Sequence, residues 1–265
     1  MTRLNQLLSG LFALQVMVAA GIYFGSQPAP AEKLQTALLQ AERSQVDHIT
    51  VENGNGKQAV LTKVDGRWQL PEYYLLPAKK SKVEQVLANL ASTQTGWPVT
   101  TTTSSQDRFK VSESNFQSRI TLAQGEKKLL QLYLGSSPGF RQLHVRRGEE
   151  EEVYAVKLDA HDFPGDADKW LDRTLIQPKG DIIALEGPDF VLNKQDGEWK
   201  LAETEGELVA DKLDELVNTL TSINVLAAED KAAGENDYSL TVKTADKGFT
   251  YRFFSEDNNH YLIVL

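Results

Sequence analysis

A chain of 265 residues with 41% hydrophobic side chains can build one sizeable core or two modest ones. Its net charge of -9 argues against nucleic acid as a partner, because phosphate binding needs clustered lysine and arginine. With no cysteine, disulfides, thiolate metal sites and cysteine nucleophiles are excluded.

Residues 7–24 read LLSGLFALQVMVAAGIYF, with only Ser9 and Gln15 polar and no charge. As a helix this run reaches about 27 Å, close to the ~30 Å of a bilayer core. Arg3 precedes it, and Tyr23 sits where an interfacial aromatic belongs. The expectation is a signal anchor within residues 1–31. It would cross a bacterial inner membrane once, with a cytoplasmic tip and the rest of the chain in the periplasm. Two readings compete. One is a leader cleaved after Ala29-Pro30-Ala31, although the apolar run is longer than a leader's usual core. The other is a buried core helix, although a core helix normally shows a polar face.

Pro28 and Pro30 break the pattern. Residues 32–45 then read as a helical stalk, with Leu34, Leu38 and Leu39 apolar. From Val46 the chain turns to short strands. Glu52-Asn53-Gly54-Asn55-Gly56 precedes a strand rather than a helix, so it reads as a hairpin turn and not a phosphate loop. Asp65-Gly66 is a second hairpin signal, leading into Arg67-Trp68-Gln69-Leu70. Val83, Val86, Leu87 and Leu90 share one helical face, which places a helix over 78–92. Ser81 and Glu84 have capping-box spacing, and Pro77 is an alternative first turn. After the polar loop Thr100–Ser105, strands resume around Ile120–Leu122, Leu130–Leu134, Leu143–Val145 and Val153–Val156.

This order recurs. Leu61-Thr62-Lys63-Val64-Asp65-Gly66-Arg67-Trp68-Gln69-Leu70 matches Leu192-Asn193-Lys194-Gln195-Asp196-Gly197-Glu198-Trp199-Lys200-Leu201 as Leu-x-Lys-x-Asp-Gly-x-Trp-x-Leu. The helical face of 78–92 returns as Leu213, Leu216, Val217 and Leu220 over 209–223. Ile120 and Leu122 match Leu240 and Val242, and Leu143 and Val145 match Tyr261 and Ile263. The fold class expected is α+β: two repeated lobes, 46–178 and a shorter 179–265, each an antiparallel sheet with one packed helix. Trp68 and Trp199 alternate with polar neighbours, so both are expected to face the core rather than to serve as stacking platforms.

No catalytic, cofactor-binding or metal-ligating residue is selected by pattern. His48, His144, His161 and His260 have no second histidine at ligand spacing. Glu149 to Glu152 follow Arg146-Arg147-Gly148 and read as a charged hairpin tip, with a weak cation site as the alternative. Asp166, Asp168 and Asp172 resemble a calcium-loop fragment but lack its glycine and terminal glutamate. No Gly-x-Ser-x-Gly, Walker A or His-Glu-x-x-His sequence occurs. The chain is therefore expected not to be an enzyme and to need no cofactor.

The apolar segment, Asp65-Gly66-Arg67-Trp68 and the helix through Leu90 together resemble the DUF4340 family. Leu143-His144-Val145-Arg146-Arg147-Gly148 with Val153-Tyr154-Ala155-Val156 resembles that family's "yvR…g…vy.v" hairpin. Trp170-Leu171-Asp172-Arg173 resembles its closing segment, whereas the family's Tyr-Gly-Leu-x-x-Pro element is replaced near Phe109 to Phe116. The resemblance implies an accessory partner of ABC-2-type exporters related to gliding-motility transport. The function expected is a non-catalytic, membrane-anchored extracytoplasmic subunit. It would contact an ABC permease or ATPase, and the bilayer through 7–24. The alternative is a periplasmic lipid- or glycan-binding module, with its cleft between the lobes.

Overall fold

The computed structural model describes residues 3–25, 35–202, 207–229, 238–256 and 259–264. Residues 1–36 and 37–265 form separate compact units. The first contains α1 (Arg3–Gly25). Side chains of α1 are described for residues 9–21. Among the described residues no helix is long and apolar enough to cross a membrane.

The second unit is built on two antiparallel sheets. Its strands are β1 (His48–Asn53), β2 (Gln58–Val64), β3 (Arg67–Leu70), β4 (Leu76–Pro77), β5 (Ser118–Gln124), β6 (Lys127–Leu134), β7 (Leu143–Arg147) and β8 (Tyr154–Val156). They continue with β9 (Ile182–Gly187), β10 (Phe190–Gln195), β11 (Glu198–Ala202), β12 (Tyr238–Thr244), β13 (Gly248–Glu256) and β14 (Asn259–Val264). The helices of this unit are α2 (Lys80–Ser92), the single turn α3 (Gln106–Phe109) and α4 (Ala210–Ser222). The sheet orders are β4-β3-β2-β1-β5-β6-β7-β8 and β11-β10-β9-β12-β13-β14. Removing β4 and β8 from the first leaves β3-β2-β1-β5-β6-β7, the same order as the second sheet.

Register agrees strand by strand. Lys63 pairs Trp68 and Lys194 pairs Trp199. Ile49 lies between Leu61 and Leu122, as Leu185 lies between Leu192 and Val242. Both turns need two left-handed residues, which Asp-Gly supplies: Asp65 and Gly66 have φ of 49° and 77°, Asp196 and Gly197 of 51° and 86°. The last strand differs from the sequence reading by one residue. Leu134 pairs Val145 and Phe253 pairs Leu262, so Val145 corresponds to Leu262, not Ile263. Tyr261 to Val264 carry no polar alternation to fix the register, and one step exchanges the faces.

The helices form where the apolar periodicity places them. Val83, Val86, Leu87 and Leu90 are buried, packed with Leu61, Trp68 and Leu70. Leu213 and Leu220 are buried in the second core, with Leu216 and Val217 partly so. Trp68 is 5% exposed and Trp199 is half-buried.

Two local expectations are corrected. The capping box is not formed: α2 starts at Lys80, its N-cap is Lys79, and no side chain caps it. The first-turn N–H groups instead fold back, Lys82 and Val83 both donating to the Lys79 carbonyl. The stalk over 32–45 is not α-helical where it is described. Residues 35–42 are irregular and Arg43–Gln45 form a single 3-10 turn. Burial overrides propensity here. Leu38 and Leu39 sink into the first core, and their N–H groups donate to Thr93 and Leu90 carbonyls at the end of α2.

Candidate functional site

Among the described residues, three places are candidate sites. The first surrounds Arg146 on β7, which is 4% exposed and has no carboxylate partner among the described residues. Its Nε donates to the Val111 carbonyl at 2.7 Å, and Nη1 donates to the carbonyls of Arg147, Gly148 and Glu150 at 3.1–3.2 Å. The guanidinium lies 4.4 Å over the Tyr133 ring. A planar cation with five donors therefore fastens the 106–116 segment and the hairpin tip to one face of the sheet. His144, two residues before it, stacks on Phe109 at 4.4 Å, and its Nδ1 lies 3.0 Å from the Ser136 hydroxyl. Burial holds this imidazole below the ordinary histidine range. The cluster is a fastening, closed to substrate.

The second place is a groove of about 850 Å³ beside the end of α2, within the first lobe. Asn89, Gln94, Arg141, Asp159 and Asp162 line it, and Phe140 stands at its edge, 89% exposed. Arg141 pairs with Asp159 at 3.7 Å, and Asn89 donates to Asp162 at 3.4 Å. The third is an apolar slot of about 320 Å³ between α4 and strands β10 and β11 in the second lobe.

The candidates raised by sequence are dispersed. His48 contacts its neighbour Asp47 at 2.6 Å, and His161 is exposed in a 3-10 turn. The His260 side chain lies outside the described residues. Glu150 pairs with Arg147 at 3.1 Å and Glu149 with Lys128 at 3.8 Å, which makes the tip a set of opposed charges. Asp166 pairs with Lys57 at 2.7 Å, Asp168 with Lys169 at 3.2 Å, and Asp172 accepts from the Thr174 N–H and hydroxyl. The three aspartates thus point to different partners. Among the described residues no three of His, Cys, Asp or Glu stand close enough to hold a metal ion. Gly54 and Gly56 lie in the β1–β2 hairpin turn, where the Asn53 side chain accepts from Asn55 and Lys57 N–H groups at 3.0 Å. Gly54 is also where the 116–117 backbone crosses closest, its N–H donating to Gln117 at 2.8 Å.

The carbonyl set of Arg146 was not legible in the sequence, since carbonyls leave no residue signature. The arginine itself stands in the hairpin that carries the family likeness. The model of that family, DUF4340, described as a domain of unknown function, matches residues 68–242, about two thirds of the chain. The chain belongs to the DUF4340 family. No curated protein and no solved structure matches it. The matched DUF4340 span runs from Trp68 in β3 to Val242 in β12, so it covers both α2 and α4 and crosses from one sheet to the other.

Two sets of contacts join the two lobes. Tyr251 is buried in the second core and its hydroxyl donates to the Ile176 carbonyl at 2.7 Å. Burial pushes its phenol up to about 12. After α4 the chain returns to the first lobe: Val225 N–H donates to Arg173, the Ala228 N–H donates to the Tyr73 hydroxyl, and Gln177 donates to Ile223.

Proposed function

We propose that this chain is a non-catalytic interaction subunit, anchored by residues 7–24 in the inner membrane, with both lobes in the periplasm. It works with the permease or ATPase of an ABC-type export complex. The observation that carries the reading is the surface of α1, where Leu11, Phe12, Leu14, Val16, Met17 and Val18 are each more than half exposed. Apolar surface left in water costs about 25 cal/mol per Å², and lipid removes that cost around the whole circumference. An anchor also confines the lobes to the membrane plane, so a modest interface becomes well occupied. The export complex enters through the family resemblance.

The test is an alkaline carbonate wash of membranes from cells expressing the full chain. The protein is expected to remain in the pellet and to keep its N-terminal segment. A soluble periplasmic form beginning near Glu32 would contradict the anchor. The alternative, a lipid- or glycan-binding module, is supported by one observation: Phe140 stands exposed at the edge of a polar groove, the arrangement on which a sugar ring stacks. That groove lies inside the first lobe, not between the lobes.

A further inference from the structure

Among the differences between the two repeats, one concerns the segment packed against the start of the helix. Helices α2 and α4 have 13 residues each, and Lys80 corresponds to Ala210. On that alignment Ala78, Lys79 and Lys82 correspond to Leu208, Val209 and Lys212, and Val83 and Val86 to Leu213 and Leu216. In the first repeat the chain itself packs here, burying Ala78, Val83 and Val86 while the Lys79 side chain stays exposed. Trp170 and Leu171 belong to the buried core with Leu61, Leu70 and Val83. Ala78 bridges Leu171 as a strand would, the Lys79 N–H donates to the Trp170 carbonyl at 2.7 Å, and the Asp172 N–H donates to Pro77 at 2.9 Å. Lys82 Nζ stands 4.7 Å over the Trp170 ring and donates to the Lys169 carbonyl at 3.0 Å.

In the second repeat the same positions line the open slot. Leu208, Val209, Lys212, Leu213 and Leu216 form one side, and Leu192 and Leu201, the counterparts of Leu61 and Leu70, form the other. No described segment takes the place of Trp170-Leu171. Ala78 is 5% and Val86 2% exposed, whereas their counterparts Leu208 and Leu216 are only half-buried. Charge adds a second constraint. Residues 179–265 hold 18 of the 37 carboxylates but only 8 of the 28 basic residues, a net -10 against +1 for the rest of the chain. Asp189 and Glu207 stand at the slot itself.

We propose that the slot docks an extended peptide segment of a partner protein, an aromatic residue followed by leucine and flanked by lysine or arginine. The aromatic ring enters beneath Lys212 as Trp170 lies beneath Lys82, and the backbone pairs with Leu208 and Val209 as residues 170–172 pair with 77–79. Basic flanks meet the acidic lobe. This deepens the interaction reading by naming the partner's chemistry, and it stands on the second lobe rather than on the anchor.

The test uses the full chain in detergent micelles and a fluorescein-labelled peptide, Gly-Lys-Lys-Trp-Leu-Lys-Arg-Gly, titrated by anisotropy. Saturable binding is expected. Replacing the peptide's tryptophan by alanine, or Leu208→Arg in the chain, should weaken it about tenfold or more. Circular dichroism confirms that Leu208→Arg folds; if it does not, Val209→Arg at the exposed rim replaces it. Absence of saturation at millimolar peptide, or equal affinity for the alanine peptide, would overturn the proposal. So would a dimer, seen by light scattering, that Val209→Arg dissociates, because the slot would then receive a second copy. None of these failures alters the outcome of the carbonate wash, so the two readings fail separately.

Discussion

Trp68→Ala is expected to lower the unfolding free energy by about 3–5 kcal/mol, as for other buried aromatics. The indole is 5% exposed, lies on β3 among Leu61, Leu70, Val83 and Leu87, and is covered on one side by the Lys63 stem, whose Nζ is 5.9 Å from the ring centre. Its backbone carbonyl also receives the Ala78 N–H that begins the run into α2. Removing the ring leaves a cavity between sheet and helix that neither can close. Trp199→Ala should cost less, about 1.5–3 kcal/mol, because its ring is only half-buried. Urea unfolding of the full chain in mild detergent, followed by circular dichroism, measures both. A loss below about 1 kcal/mol at Trp68 would mean that the ring is not core and would reopen the stacking-platform reading.

Arg146→Ala should be as damaging, about 3–5 kcal/mol, for a different reason. Four carbonyls lose their donor at once, and the Tyr133 face loses its cation. Arg146→Lys should recover only part of the loss, because a single ammonium cannot reach carbonyls on both sides of the fork. The same unfolding experiment checks this, with limited proteolysis reporting early cleavage in 106–116 as that segment loosens. A lysine variant as stable as the parent would show that charge alone, not the fork, holds the segment.

The repeat was legible because both of its signals are local. Asp-Gly turns demand left-handed φ at two successive residues, and the 3.6-residue spacing of Val83, Val86, Leu87 and Leu90 leaves few alternatives to a helix. What escaped the sequence depends on partners distant along the chain. Leu38 and Leu39 read as helical, yet they are pinned by carbonyls of Leu90 and Thr93 some fifty residues later. The β14 register escaped because Tyr261 to Val264 offer no alternation. The fastening role of Arg146 escaped because its acceptors are backbone atoms. The slot escaped for the converse reason. The repeat read as two lobes of unequal length, and only the packing of Trp170 beneath Lys82 shows which helix face no described segment covers in the second.

The account rests on one claim, that the lobes exist to hold another component of the membrane. Site-specific photocrosslinking in intact cells tests it most directly, with the photoreactive side chain placed at exposed Val209 beside the slot and, as a comparison, at exposed Val64 on the first lobe. The account predicts a crosslinked product from Val209 that contains a membrane-embedded permease subunit of an ABC-type complex, with none from Val64. If neither position captures such a subunit, and deleting the chain leaves assembly and export by that complex unchanged, the interaction role is contradicted and an independent ligand-binding role takes its place.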